Sequence, residues 1–266
     1  MSSKRSYNGI PFREMKEFLD EKADLYNRPS FIENDPVSIP HRFSGKEDIE
    51  ISGFLTATIA WGNRTMILKN ADRLMDIMGN APFDFIINHR EKDLSSLNKF
   101  VHRTFNSDDL YFFFAALKHI YRKRGGLEKL FNTYKTDNSL QPAIHEFHKI
   151  FFELPHLKRT ERHVSDTGKG SAAKKINMFL RWMVRNDQRG VDFGIWKSIP
   201  PSILSCPLDV HSGNIARRLG LLKRKQNDAK AVEELDLVLR SFDKEDPVKY
   251  DFALFGLGVN EKFLTT

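Results

Sequence analysis

Apolar residues recur at the three- and four-residue spacing of an α-helix along nearly the whole chain, and no segment shows the alternation of a convincing strand. Residues 11–27 open with a proline that a first helical turn tolerates, then place Met15, Phe18, Leu19 and Leu25 at helical spacing. Residues 47–61 carry Ile51, Phe54, Leu55 and Ile59 on one stripe, and residues 64–78 carry Ile67, Ala71, Leu74, Met75 and Met78. Ser107-Asp108-Asp109 reads as the cap of a helix that runs to Arg122 and is stopped by Gly125-Gly126. Further helical patterns cover 127–134, 140–154, 171–185, 210–219, 228–242 and 247–257, whereas 28–43, with Pro29, Pro36 and Pro40, is a connector. Asn8-Gly9 stands before the first element and joins no two apolar runs. The expectation is an all-α fold of about ten helices joined by short loops.

Composition bounds what such a fold does. A chain of 266 residues, 40% hydrophobic, buries a real core in one large domain or two small lobes. One cysteine excludes an internal disulfide, a four-cysteine iron–sulfur cluster and a Cys-rich zinc site. The start, MSSKRSYNGI, lacks the apolar stretch of a secretory signal. The longest apolar run, residues 110–117, falls far short of the roughly 20 residues of a membrane helix. The reading is therefore a soluble, cytoplasmic protein. Its net charge of +7 is uneven: nine Lys/Arg face three acids between Leu154 and Arg189. Arg217, Arg218, Lys223, Arg224 and Lys225 cluster in a stretch, 210–227, that has no acid. Such fields suit a polyanion, although many charge runs are only solvated surface.

Residues 166–222 hold the chemistry. Gly168-Lys169-Gly170-Ser171 leads into a helix, where small residues and unpaired N–H groups make a seat for a phosphate or simply a capped loop. Lys174 and Lys175 follow one turn in, about 100° apart around the helix, so at most one faces a given site. A lysine beside low-dielectric surroundings or other cations loses its proton readily and becomes a nucleophile. Asp209, in Pro207-Leu208-Asp209-Val210-His211, stands where a carboxylate caps a helix or steadies a cationic transition state. A lone Asp-x-His with no second ligand cluster is a poor metal signature, so no metal or other cofactor is expected.

These residues resemble the helix-hairpin-helix DNA glycosylases, which include endonuclease III and the 8-oxoguanine glycosylases. Pro207-Leu208-Asp209-Val210-His211, with Ile215-Ala216-Arg217-Arg218-Leu219-Gly220-Leu221 after it, is similar to that superfamily's catalytic-aspartate segment. Gly170-Ser171-Ala172-Ala173-Lys174 fits the register of its Gly-hydrophobic-Gly-x-Lys hairpin and favours Lys174 over Lys175 as nucleophile. The departures are Ala172 in place of the second glycine, a long gap between Lys174 and Asp209, and the missing iron–sulfur cysteines. The whole chain also resembles an uncharacterised bacterial family with Ala-Trp-Gly-Asn-Arg, Asn-Met-Phe-Leu-Arg-Trp-Met-Val-Arg and Asp-Pro-Val-Lys-Tyr-Asp-Phe motifs.

The resemblance implies one glycosylase-like unit over 1–266, with two helical lobes, 47–205 and 1–46 plus 206–266, and a cleft between them. It implies a monomeric base-excision enzyme of the bacterial cytoplasm, associated with the nucleoid, that flips a damaged base, such as an oxidised purine, out of double-stranded DNA. Lys174, or alternatively Lys175, would attack the sugar and Asp209 would stabilise its positive charge, giving hydrolase or AP-lyase activity. Asn63 and Arg64 would fill the vacated stack. Gly168, Lys169, Gly170, Ser171, Arg217 and Arg218 would bind the DNA backbone, and Trp61, Trp182 and His211 are candidates for the base pocket. The alternative is a DNA-binding protein that keeps the fold without catalysis; a helical scaffold whose basic patches only solvate it is a third reading.

Overall fold

The structure, a computed structural model, describes residues 6–90, 92–94 and 99–259. Eleven α-helices carry the described chain: α1 (Phe12–Tyr26), α2 (Lys46–Ile59), α3 (Arg64–Ile77), α4 (Pro82–Asn88), α5 (Ser107–His119), α6 (Leu127–Tyr134), α7 (Gln141–Phe151), α8 (Lys174–Val184), α9 (Val210–Arg218), α10 (Ala229–Phe242) and α11 (Tyr250–Val259). The all-α expectation holds at this level. The starts follow local chemistry. Asn106 and Asp109 form a reciprocal capping box at α5, so the cap lies one residue before the expected Ser107. Asp228 accepts the N–H of Ala231 at the start of α10. Beyond His119 the chain continues as a π-helical turn, Ile120–Arg124, and stops at Gly125 with φ +79. The proline-rich connector is a series of 3-10 turns, Pro29–Phe31, Pro36–Ser38 and Pro40–Arg42.

Two features depart from the sequence expectation. Asn8-Gly9 does make a hairpin turn: β1 (Ser6–Tyr7) pairs antiparallel with β2 (Ile10–Pro11), Tyr7 opposite Ile10. Both turn residues take positive φ, 49 and 84, the pattern that suits Asn-Gly, and strands of two residues are too short to show alternation. A second pair, β3 (Val101–His102) with β4 (Phe105–Asn106), precedes α5.

The chain divides into two compact units: 1–31 with 137–139 and 167–266, and 32–136 with 140–166. The loop at Gly168–Ser171 and α8 thus belong with the terminal helices, not with the central segment as the expected boundaries of 47–205 had it. The reason is chemical: α8 carries charged side chains whose partners lie in the C-terminal third. The first unit's core joins Met15 and Leu19 of α1, Ile215 of α9, Leu235 and Leu239 of α10, and Leu254 and Leu257 of α11. The second unit's core is phenylalanine-rich: Phe54, Phe113, Phe147 and Phe151 are fully buried, with Phe113 and Phe151 rings 4.8 Å apart and edge-on.

Candidate active site

Lys174 is the first residue of α8, and the loop before it fixes where its side chain starts. Ala173 takes a left-handed conformation (φ 45), and Ser171 Oγ accepts the Ala173 N–H at 3.1 Å. Gly170, also left-handed, accepts the N–H of Ala229 at its carbonyl (3.0 Å), and Ser171 bridges to Asp228, so the loop is stitched to the start of α10. Ala172, at the place of the second glycine, is buried, and its carbonyl accepts Asn177 Nδ2 at 3.0 Å.

Asp209 caps α9 with one oxygen. Its Oδ1 accepts the Ser212 N–H at 2.9 Å, while Ser212 Oγ accepts the Asp209 N–H at 2.9 Å. Its other oxygen, Oδ2, lies 4.0 Å from Lys174 Nζ. Capping and electrostatic duty are therefore shared between two oxygens of one carboxylate. Lys174 and Asp209 are 29% and 22% exposed, so water or a ligand reaches both. The amine also contacts Met178 Sδ at 3.8 Å. Thirty-five positions separate the two residues in the chain, and the fold makes them neighbours. Lys175 is half-buried; burial, then the charge of Lys174, pushes its amine down to about 8.

Behind this pair runs a ladder of charge that sequence reading missed. Lys174, Met178, Arg181 and Arg185 share one face of α8 by their spacing. Arg181 donates to Asp251 Oδ2 at 2.5 Å and to Asp192 Oδ1 at 3.2 Å. Arg185 donates to Asp192 at 3.1 Å and to both oxygens of Asp246 at 2.9 Å, and pairs with Asp187 at 2.8 Å. Both guanidiniums are buried, and Arg181 lies 4.3 Å from the Phe252 ring centroid. The signal was in the sequence: two arginines four apart on an apolar helix need acids somewhere. The partners lie up to 70 positions away, beyond what spacing reveals.

This revises the charge reading. Arg181 and Arg185 are neutralised inside the unit and add little to an outward field. Arg217 is engaged locally too, its Nε donating to the Arg224 carbonyl at 2.7 Å and its terminal nitrogen to Asn227 Oδ1 at 2.5 Å. Arg218, Gly168, Lys169 and Gly170 are exposed. Trp182 cannot line a base pocket: its side chain is fully buried in the core because it lies on the apolar face of α8. His211 is exposed in the first turn of α9, its Cβ beside Gly258 of α11.

The remaining candidates lie in the other unit, in the loop after α2 and at the start of α3. Asn63 caps α3, its Oδ1 accepting the Met66 N–H at 3.1 Å. Arg64 donates to the Asn34 carbonyl at 3.1 Å and sits 3.7 Å from Asp35. Trp61 is half-buried, edge-on to His102 with ring centroids 4.9 Å apart. Asn63 and Arg64 thus have structural duties in the loop, a competing use of the residues assigned to the DNA stack.

Among the described residues no cluster of three His, Cys, Asp or Glu side chains is placed to hold a metal ion, and no helix is long and apolar enough to cross a membrane. Neither a curated protein nor a solved structure matches the chain. Residues 35–260, far more than half of the chain, match the model of a family described as Protein of unknown function (DUF2400), and the chain belongs to that family.

Proposed function

We propose that this protein is a DNA N-glycosylase with AP-lyase activity, in which Lys174 is the nucleophile and Asp209 its acid–base and electrostatic partner. One observation carries the reading: an amine and a carboxylate oxygen from distant segments stand 4.0 Å apart, both partly open to solvent. The superfamily resemblance supplies the chemistry. The Lys174 amine gives a proton to Asp209 and bonds to C1′ of the flipped nucleotide. The N-glycosidic bond breaks, and the base leaves with the bonding pair and takes the proton held by Asp209, which returns Asp209 to its carboxylate. The Lys174 nitrogen, now on C1′, gives a proton to the ring oxygen as the sugar ring opens, which leaves an iminium on Lys174. Loss of a 2′ proton expels the 3′ phosphate and cuts the strand. Asp209, as carboxylate, stabilises the positive sugar between these steps. Lys169 and Arg218 are exposed on this unit and are among the cations that would meet DNA phosphates.

Borohydride trapping on an abasic or 8-oxoguanine duplex tests this. Wild type and Lys175→Gln are expected to form the covalent adduct, and Lys174→Gln to lose it. An undiminished adduct in Lys174→Gln removes Lys174 from the role. Salt-dependent duplex binding without any adduct selects the non-catalytic DNA-binding reading instead. For an enzyme, Asp209→Asn is expected to abolish turnover while leaving duplex binding largely intact.

A further inference from the structure

Asp251, in the first turn of α11, uses its two oxygens on two different segments. Oδ2 accepts from Arg181, two turns along α8 from Lys174 and on the same face. Oδ1 accepts from the thiol of Cys206, three residues before Asp209, at 3.7 Å. The backbone N–H of Cys206 is held in turn by Asp236 of α10 at 2.9 Å. One buried carboxylate therefore fastens the helix that delivers Lys174 and the irregular segment that delivers Asp209. We infer that Asp251 is a positioning residue for the Lys174–Asp209 pair, fixing the approach of its two segments and placing a negative charge behind the amine. The inference gives the proposed chemistry its geometry, and its first test does not require that chemistry to exist.

The groups that bear on Asp251 are Arg181 and Lys174 from α8 and Cys206 and Asp209 from the segment entering α9. Burial, the largest effect, pushes its carboxyl up, while Arg181 and Lys174 draw it down, so a charge in the interior depends on those cations.

The test is the rate of Lys174 acylation by an amine-selective reagent at one fixed pH, read by mass spectrometry. In Asp251→Asn the rate is expected to rise about threefold or more as the amine is released from its place beside Asp209. Asp246→Asn is the control: it removes a carboxylate from Arg185, one turn further along the ladder, and is expected to lower the Tm while leaving the Lys174 rate in place. A folded Asp251→Asn with an unchanged rate overturns the inference, as does an equal rise in Asp246→Asn. Should Asp251→Asn not fold, Cys206→Ala removes one of the two fastenings alone. A smaller change in the same direction is then expected, and none at all overturns the assignment. A wild type that forms no borohydride adduct would sink the glycosylase reading and leave the labelling result standing.

Discussion

Asn227 Nδ2 donates a hydrogen bond to the backbone carbonyl of Asp209 at 2.8 Å. The same carbonyl accepts the first helical N–H of α9, from Gly213, at 2.9 Å. Asn227 thus ties the loop before α10 to the cap of α9. Its own Oδ1 is held by Arg217. A Cβ on Gly213 would stand 2.8 Å from Asn227 Oδ1 and 2.9 Å from an Arg217 terminal nitrogen, so glycine makes room for this network.

Asn227→Ala should cost about 1 kcal/mol, the usual worth of a net hydrogen bond, and loosen the carboxylate without unfolding the unit. Gly213→Ala would stabilise an unencumbered helix by up to about 1 kcal/mol. Here it should lower the Tm, because the new methyl displaces two bonded side chains. Thermal unfolding of both variants checks this, and a raised Tm for Gly213→Ala would show that the network yields at no cost.

Asp236 gives the first unit a pH dependence of known sign. It is buried on α10, and burial pushes its carboxyl up to about 6, against the pull of Ser205, Arg240 and the Cys206 N–H. A carboxyl raised in the folded state contributes stability that is fully present below the unfolded value, near 3.8, and is lost as pH rises through about 6. Above that pH the fold carries a buried charge with one partner, Arg240, at 3.8 Å. Asp236→Asn keeps an acceptor for Cys206 and removes the charge. It should gain up to about 3 kcal/mol at pH 7.5 and much less at pH 4.5, by denaturant titration at both pH values. Equal effects at the two would mean that Asp236 does not titrate in this range.

The helices were legible in the sequence because their apolar stripes are long. The eight-residue span of α6 follows directly from its pattern and its flanking Gly126. The hairpin at Asn8-Gly9 was not legible, since strands of two residues leave no alternation to read. Lys174 and Asp209 were identifiable as a pair only through their likeness to a known segment. Nothing local states that residues 35 apart meet. Asp251 stands in the Asp-Pro-Val-Lys-Tyr-Asp-Phe motif, and its bond to Arg181 follows from how α8 and α11 lie within one unit, which spacing does not encode. Trp182 misled for a related reason: on a helix that is apolar on one side and ionic on another, a tryptophan goes to the core.

The seat of α11 is set by one glycine, and Asp251 rides on that helix. A Cβ on Gly256 would stand 2.1 Å from Tyr26 Cδ2, at the last residue of α1, so the two helices meet with no space for a methyl. Gly256→Ala ought to gain helix propensity, but overlap of that depth pushes the ring or the helix aside, at a typical cost of 1–3 kcal/mol. The expected net effect is a loss of about 1–2 kcal/mol. Because the contact involves one partner ring, trimming it should relieve the clash: Gly256→Ala with Tyr26→Ala should be less destabilised than the sum of the single variants. Asp251 lies five residues before Gly256, so a displaced α11 also moves the carboxylate that fastens Arg181 and Cys206. The single Gly256→Ala variant is therefore expected to change the Lys174 labelling rate in the same direction as Asp251→Asn, and the double variant to restore it. Strict additivity of the two stability changes would mean that Tyr26 moves freely and that the position of α11 is set elsewhere.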